Sequence, residues 1–375
     1  VGEDEMGSSA GTEDATEAWL DVPGPVRRGQ EIDVAHLADY LSEAAPELLS
    51  GPLSIEQFPS GYSNLTYMVT AGDRSLILRR PPVGVEIATA HDMGREHRIL
   101  SHLAPVYPKA PSPLLYCEDP APIGTPFYLM ERVEGVILRK EMPPGRRPPP
   151  DLVSRIAVGL VETQAELHAV DYEAAGLGSL GRPEGYVRRQ IEGWTRRYRR
   201  AETEPIPEAT NVANWLHDSM PQESDASLIH NDFKHDNVVL DPDDWARITA
   251  VLDWEMATLG DPLMDVGTSL AYWTQPDDPP ELLATRLSPT LLPGTPGRAD
   301  VLELYARVSG RAVDDIVFYY AYGLFKVAVI VQQLYVRYQS GLTTDSRFAS
   351  LGDSVRALTS VAWQAVQKRR IDDLF

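Results

Sequence analysis

Hydrophobic periodicity changes once along this chain, and the place of the change limits the folds open to it. Between about residues 53 and 131, the short apolar runs Thr66-Tyr67-Met68-Val69, Ser75-Leu76-Ile77-Leu78 and Phe127-Tyr128-Leu129-Met130 are punctuated by turn residues at Ser60-Gly61 and Ala71-Gly72-Asp73. That pattern predicts strands. One helix is expected among them, from Thr89 to Leu103, where Met93, Ile99, Leu100 and Leu103 share a face. Another precedes them, where Val34, Leu37 and Leu41 follow a capping Asp33. From Asp151 onward the apolar residues step by three and four instead, as in Ile156, Leu160, Thr163, Leu167 and again in Val187, Ile191, Trp194, Tyr198. Only Leu228 to Trp254 interrupts the helical texture, with strand-like Val238-Val239-Leu240 and Ile248 to Leu252 around a turn at Asp241-Pro242-Asp243-Asp244.

The expected architecture is α+β: a solvated acidic tail over residues 1–25, a small β-rich N-lobe over 26–133 opened by a short helix, and a larger, mostly helical C-lobe over 134–375 carrying a β-hairpin. A length of 375 residues predicts two domains or one large one, and with 43% hydrophobic residues the chain can bury a sizeable core. A net charge of −21 argues against a nucleic-acid partner, which needs surplus Lys and Arg to neutralise phosphates. The most apolar stretch, Tyr319 to Leu334, is broken by Lys326, Gln332 and Gln333, so no membrane span is expected. A single cysteine, Cys117, leaves no internal disulfide framework and no Cys-cluster zinc site. These features fit a cytoplasmic protein that handles small molecules.

Chemistry concentrates in Leu228-Ile229-His230-Asn231-Asp232-Phe233-Lys234-His235-Asp236-Asn237, with Asp253 sixteen residues further on. This is the spacing of a kinase catalytic loop: a His, an Asp two residues later, an Asn five beyond it, then a metal-binding Asp. Phosphoryl transfer requires a carboxylate to orient the attacking hydroxyl, here Asp232. It also requires oxygen ligands that hold Mg²⁺ against the phosphates, here Asn237 and Asp253. Metal-assisted hydrolysis is a rival reading of His230, Asp232, His235 and Asp236, but dinuclear hydrolases want a second His where Asp232 stands. His230 reads as a brace for the loop. Asp265, before a helical run, either caps that helix or binds the catalytic-loop backbone.

His230 to Asn237, Val251 to Glu255 and Gly260-Asp261-Pro262-Leu263-Met264-Asp265 together resemble the aminoglycoside phosphotransferase and choline-kinase-like family, closest to kinase domains associated with acyl-CoA dehydrogenases. The likeness extends over about residues 50 to 340. It implies a two-lobe protein-kinase-like fold that binds ATP and Mg²⁺. By motif position Asp232 is the catalytic base, and Ser60 to Thr66, including Gly61, Ser63, Asn64 and Thr66, forms a hairpin over the nucleotide. Arg79 stands where the family places a phosphate-binding Lys, with Arg80 beside it as a competing assignment, and Glu96 is the helix carboxylate that pairs with that cation. Glu131 and Val133 complete the nucleotide-binding set. Lys234, absent from aminoglycoside kinases, matches a protein-kinase Lys that neutralises the transferring phosphoryl group. Asp253-Trp254-Glu255 replaces D-F-G and no A-P-E segment follows, which speaks against a protein kinase.

The acceptor is less legible. Residues 188 to 200 hold six arginines against Glu192 alone, with Arg189, Arg196 and Arg200 on one stripe. The stripe is either a solvated helix face or an anchor for an anionic substrate. Relatives linked to acyl-CoA dehydrogenases imply a hydroxyacyl-CoA as acceptor and a possible association with enzymes of acyl-CoA metabolism. An aminoglycoside or aminoalcohol kinase would instead use carboxylates such as Asp277, Asp278 and Glu281. A nucleotide-binding pseudokinase is the alternative of another class, against which stand intact Asp232, Asn237 and Asp253.

Overall fold

The structure is a computed structural model and describes residues 19, 21–59, 64–82, 92–143, 146–221, 226–284, 286–342 and 348–375. By contacts the chain divides into two units, the first running to Ile137 and including Val238–Met256, the second formed by Leu138–Asn237 and Ala257–Phe375.

The first unit is built on a five-stranded antiparallel sheet, β1 (Leu53–Gln57), β2 (Leu65–Ala71), β3 (Arg74–Arg80), β4 (Pro113–Cys117) and β5 (Phe127–Glu131), in the order β1-β2-β3-β5-β4. Alternation sorts its side chains. Tyr67 and Val69 of β2, Leu76 and Leu78 of β3 and Phe127 and Leu129 of β5 join one core with Leu37 and Leu41 of helix α1 (Val34–Ala44). Asp33 caps α1, its side chain accepting from the His36 amide at 3.0 Å. Arg79 therefore sits on the opposite face of β3, the face towards helix α2 (Met93–Leu103). Asp92 caps α2, and the expected turn from residue 89 to 91 lies outside the described residues.

Two segments sit differently from the sequence reading. The tail was expected to run to residue 25, yet Gly24 pairs with Gln57 through backbone bonds of 2.9 and 2.8 Å, extending the sheet's edge. The hairpin β7 (Val238–Leu240) and β8 (Ile248–Val251), expected in the C-lobe, belongs by contact to the first unit. Val136 and Leu240 exchange backbone bonds of 2.9 and 2.8 Å, and the Val251 amide donates to Lys109 at 2.7 Å. A two-stranded ribbon is marginal alone, and these outside bonds satisfy backbone groups that its own ladder cannot. Its turn is made by Asp241, whose Oδ1 accepts from the amides of Asp243 and Asp244.

The second unit is helical: α3 (Pro150–His168), α4 (Tyr186–Ala201), α5 (Pro207–Asp218), α6 (Pro262–Ala271), α7 (Pro280–Ala284), α8 (Arg298–Ser309), α9 (Ile316–Gln339) and α10 (Leu351–Lys368), with the short pair β6 (Ser227–Ile229) and β9 (Thr258–Gly260). Helix α9 is long and apolar enough to cross a membrane by length and composition, but most of it is buried inside this unit, against α4, α5, α6 and α10. Its contact with α6 is backbone-close: a Cβ on Gly323 would lie 2.1 Å from the Gly267 carbonyl oxygen. That approach brings the middle of α9, where Lys326 stands, up to α6 and the loop that α6 supports.

Candidate active site

Site residues fall into two groups, one in each unit. In the first unit, the Arg79 guanidinium forks, donating to Glu96 at 2.6 Å and to Asp253 at 2.8 Å. Arg80 points through the other face, to the Tyr67 hydroxyl and the Gln30 carbonyl, so of the two arginines it is Arg79 that meets Glu96. Burial raises the Glu96 carboxyl, opposed by the Arg79 charge and the Trp254 amide. The Arg79 guanidinium is held well above its ordinary value despite burial, since Glu96, Tyr128 and Asp253 surround it. Asp253 has φ 67°, a left-handed conformation costly for a residue with a Cβ, and it turns the chain after β8 towards Arg79. Asn64, at the head of β2, donates to the Glu255 carboxylate at 2.6 Å. Thr66 faces Arg79 in strand register.

The second unit carries the loop. Asp232 Oδ1 accepts from the Tyr272 hydroxyl at 2.7 Å, and Oδ2 accepts from Asn237 Nδ2 at 2.9 Å and from the Lys234 ammonium. Asn237 Nδ2 also reaches the Asp232 carbonyl at 2.8 Å, so the amide nitrogen is committed and the amide oxygen is the atom left to meet a cation. Asp232 follows Asn231, which has φ 68°. Asn and Gly are the residues that most readily tolerate that conformation, so Asn231 can turn the chain into Asp232. His230 Nδ1 accepts from the Asp232 amide at 3.3 Å, the brace expected of it.

Asp265 does not cap α6. Asp261 does, accepting from the Leu263 amide at 2.8 Å. Asp265 takes the amides of His230 and Asn231 at 3.2 and 2.6 Å, with His168 at 3.1 Å and Gln164 at 3.3 Å. Burial pulls the His235 imidazole down to about 4, leaving it neutral against Trp273. Among the described residues no group of three or more His, Cys, Asp or Glu is placed to hold a metal ion.

Other expected residues do not take part in the contacts described above. Gly61 and Ser63 lie outside the described residues. Glu131 is exposed at the end of β5, its carboxylate accepting from the Ser112 amide, and Val133 follows it half-buried. Arg189 turns onto the Arg182 and Glu184 carbonyls, Arg196 pairs loosely with Glu192 at 3.7 Å, and both, like Arg200, are exposed. Asp278 is buried, its carboxylate held in a two-pronged pair with Arg298 at 2.7 and 3.0 Å. Asp277, Asp278 and Glu281 all line a cavity of about 540 Å³, with Asp353 and Arg356. The residues missed in the sequence are Tyr272 and Tyr186, which carry no signal among so many aromatics, and Lys326, whose signal was a charge inside an apolar run.

The chain belongs to the phosphotransferase enzyme family, whose profile matches residues 54–301. By family it is a small-molecule phosphotransferase with a kinase-like fold. A candidate aminoglycoside phosphotransferase from Ralstonia eutropha is 32% identical and superposes with a TM-score of 0.76, covering 90% of this chain and 99% of that one. The chain is also 35% identical to mouse acyl-CoA dehydrogenase family member 10, over 93% of this chain and 33% of that protein. To human acyl-CoA dehydrogenase family member 11 it is 34% identical, over 82% and 39%. It thus spans between a third and two-fifths of these curated relatives. A ternary complex of aminoglycoside phosphotransferase APH(4)-Ia with ADP and hygromycin B shares the fold at 16% identity, with a TM-score of 0.54 over 87% of this chain and 97% of that one.

Proposed function

We propose that the chain is an ATP- and Mg²⁺-dependent kinase that transfers the γ-phosphoryl group to a hydroxyl of a small molecule. The observation that carries this reading is the Asp232 carboxylate. Three donors hold it in one orientation, and of its roughly four lone-pair positions one, on Oδ1, is left to accept from an acceptor hydroxyl. As the acceptor oxygen bonds to phosphorus, the bond from phosphorus to the β–γ bridging oxygen breaks, its electron pair leaves with ADP, and the hydroxyl proton passes to Asp232. Lys234, already beside that carboxylate, offsets charge on the moving phosphoryl group. Asn237 and Asp253, by motif order, supply hard oxygen ligands for Mg²⁺, which when bound neutralises phosphate charge. Arg79 presents the fork that a phosphate and Glu96 can share. Asn64 and Thr66, with Gly61 and Ser63, cover the nucleotide, and Glu131 and Val133 border it.

The acceptor class we infer is anionic, with hydroxyacyl-CoA thioesters first in line because the matched relatives are named acyl-CoA dehydrogenases. The same names support an association with acyl-CoA metabolism. Exposure of Arg189, Arg196 and Arg200 leaves charge alone in favour of an anchoring role.

Magnesium–nucleotide is expected to raise the melting temperature, by the equivalent of about 2.7 kcal/mol at a hundred times Kd. Asp253→Ala should lose the magnesium-dependent part of that rise. A variant that shifts as the wild type does would remove Asp253 from the ligand set.

A further inference from the structure

Lys326 stands midway along α9 between Leu324-Phe325 and Val327-Ala328, all buried, and is itself buried. A core position filled by an ammonium gives up its hydration, which is sustained only where the protein supplies partners. Here Nζ donates to the Asn231 carbonyl oxygen at 2.6 Å and lies 3.4 Å from Asn231 Oδ1. The Asn231 amide donates from the other side to Asp265, and the Tyr186 hydroxyl donates to Oδ1 at 3.3 Å. The peptide plane joining Asn231 to Asp232 is thereby fixed through its carbonyl, directly after a residue in the left-handed region. Rotation of that plane would swing the Cα–Cβ bond of Asp232, and with it the carboxylate.

We propose that Lys326 is a positioning residue for phosphoryl transfer: by locking the Asn231–Asp232 peptide it aims the Asp232 carboxylate at the acceptor hydroxyl. The proposal rests on the reading of Asp232 as the base. A leucine or methionine would fill the same volume without losing hydration, so the ammonium answers a need that packing does not create. The charges acting on it are Asp232 and Lys234 of the loop and Asp265 of α6; no charge from α5 or α10 is among them, and Tyr186 of α4 shares its partner. Burial pulls the ammonium down to about 8, against Asp232 and Asp265. Its folded value lies below its unfolded one, so between about pH 8 and 10.5 the unfolded chain binds the extra proton, and this group's contribution to stability rises with pH. Its positioning bond weakens over the same window. Activity and stability therefore move in opposite directions.

The test compares wild type, Lys326→Met, Lys326→Arg and Asp232→Asn, with MgATP as donor and, as acceptor, 3-, 4- and 5-hydroxyacyl-CoA thioesters, or water if none reacts. Lys326→Met should lower kcat about 10- to 100-fold with KM for MgATP within twofold, the cost of a small misplacement of a reacting group. Lys326→Arg should recover most of the loss, and wild-type kcat should fall above about pH 8 with no matching fall in melting temperature. Wild-type kcat in Lys326→Met, or an equal loss in Lys326→Arg, overturns the proposal. Should Lys326→Met not fold, the wild-type pH limb decides: a flat rate between pH 7 and 9.5 overturns it as well. If Asp232→Asn turns over like wild type, the base reading itself has failed; if Asp232→Asn is slow while Lys326→Met is not, only the role of Lys326 falls.

Discussion

Asp232→Asn is expected to lower acceptor turnover by about 10²–10⁴-fold, the usual contribution of a positioned general base, while leaving MgATP binding nearly intact. The hydrogen-bond pattern says why this variant should stay folded. Lys234 and Asn237 donate to Oδ2 and need an oxygen there, which the Asn carbonyl provides. The amide nitrogen then takes the place of Oδ1, opposite the Tyr272 hydroxyl, which can accept as well as donate. The loop keeps its partners and loses only the atom that takes the proton. The paired readout is kcat with the best acceptor and the MgATP-induced change in melting temperature. Turnover within a few-fold of wild type would show that Asp232 is not the base.

The largest loss of stability is expected from Asp265→Ala. Its carboxylate is fully buried and receives two loop amides, Gln164 and His168. Taking it away strands those donors and leaves the buried Lys326 without one of its two opposing charges. Removing one partner from a buried ionic group typically costs about 3–5 kcal/mol, which urea denaturation would read as a lower midpoint. Acid adds a second signature. Burial would raise the Asp265 carboxyl, but His168, His230 and Lys326 outweigh it and hold it at about 2. Because the folded value is the depressed one, its contribution is fully present above about pH 4 and disappears as pH falls through about 2. Wild type should therefore lose stability in that window by more than Asp265→Ala does. Equal midpoints at pH 7 would mean that the loop does not depend on Asp265.

Much of this was legible in the sequence because it rested on local rules. Strand alternation and turn residues place β2, β3 and β5, helical steps place α3 and α4, and the spacing from His230 through Asn237 to Asp253 gives the loop. Other features depend on which partner an element finds. Periodicity identifies β7 and β8 as a hairpin but carries no term for Val136 or Lys109, which draw it into the first unit. Whether Arg79 or Arg80 faces Glu96 turns on which side of β3 the core takes; Leu76 and Leu78 pack with Tyr67, so Arg79 goes to the other side. Asp265 and Asp261, four residues earlier, offer the same chemistry in sequence, and only the fold shows which acid meets which amides. Lys326 read as an interruption in an apolar run, when the interruption is its contact with the loop.

Acceptor-dependent formation of ADP tests the central claim most directly. Purified protein, MgATP and a panel of hydroxyacyl-CoA thioesters, aminoglycosides and amino alcohols would be followed for ADP and, by mass spectrometry, for phosphorylated acceptor. We expect at least one hydroxyl compound to accelerate ADP formation, in equal amount with a product heavier by one phosphoryl group, and magnesium removal to abolish both. Nucleotide that binds and stabilises the fold, yet is turned over no faster with any acceptor than with water alone, would contradict the account and favour a nucleotide-binding regulatory protein.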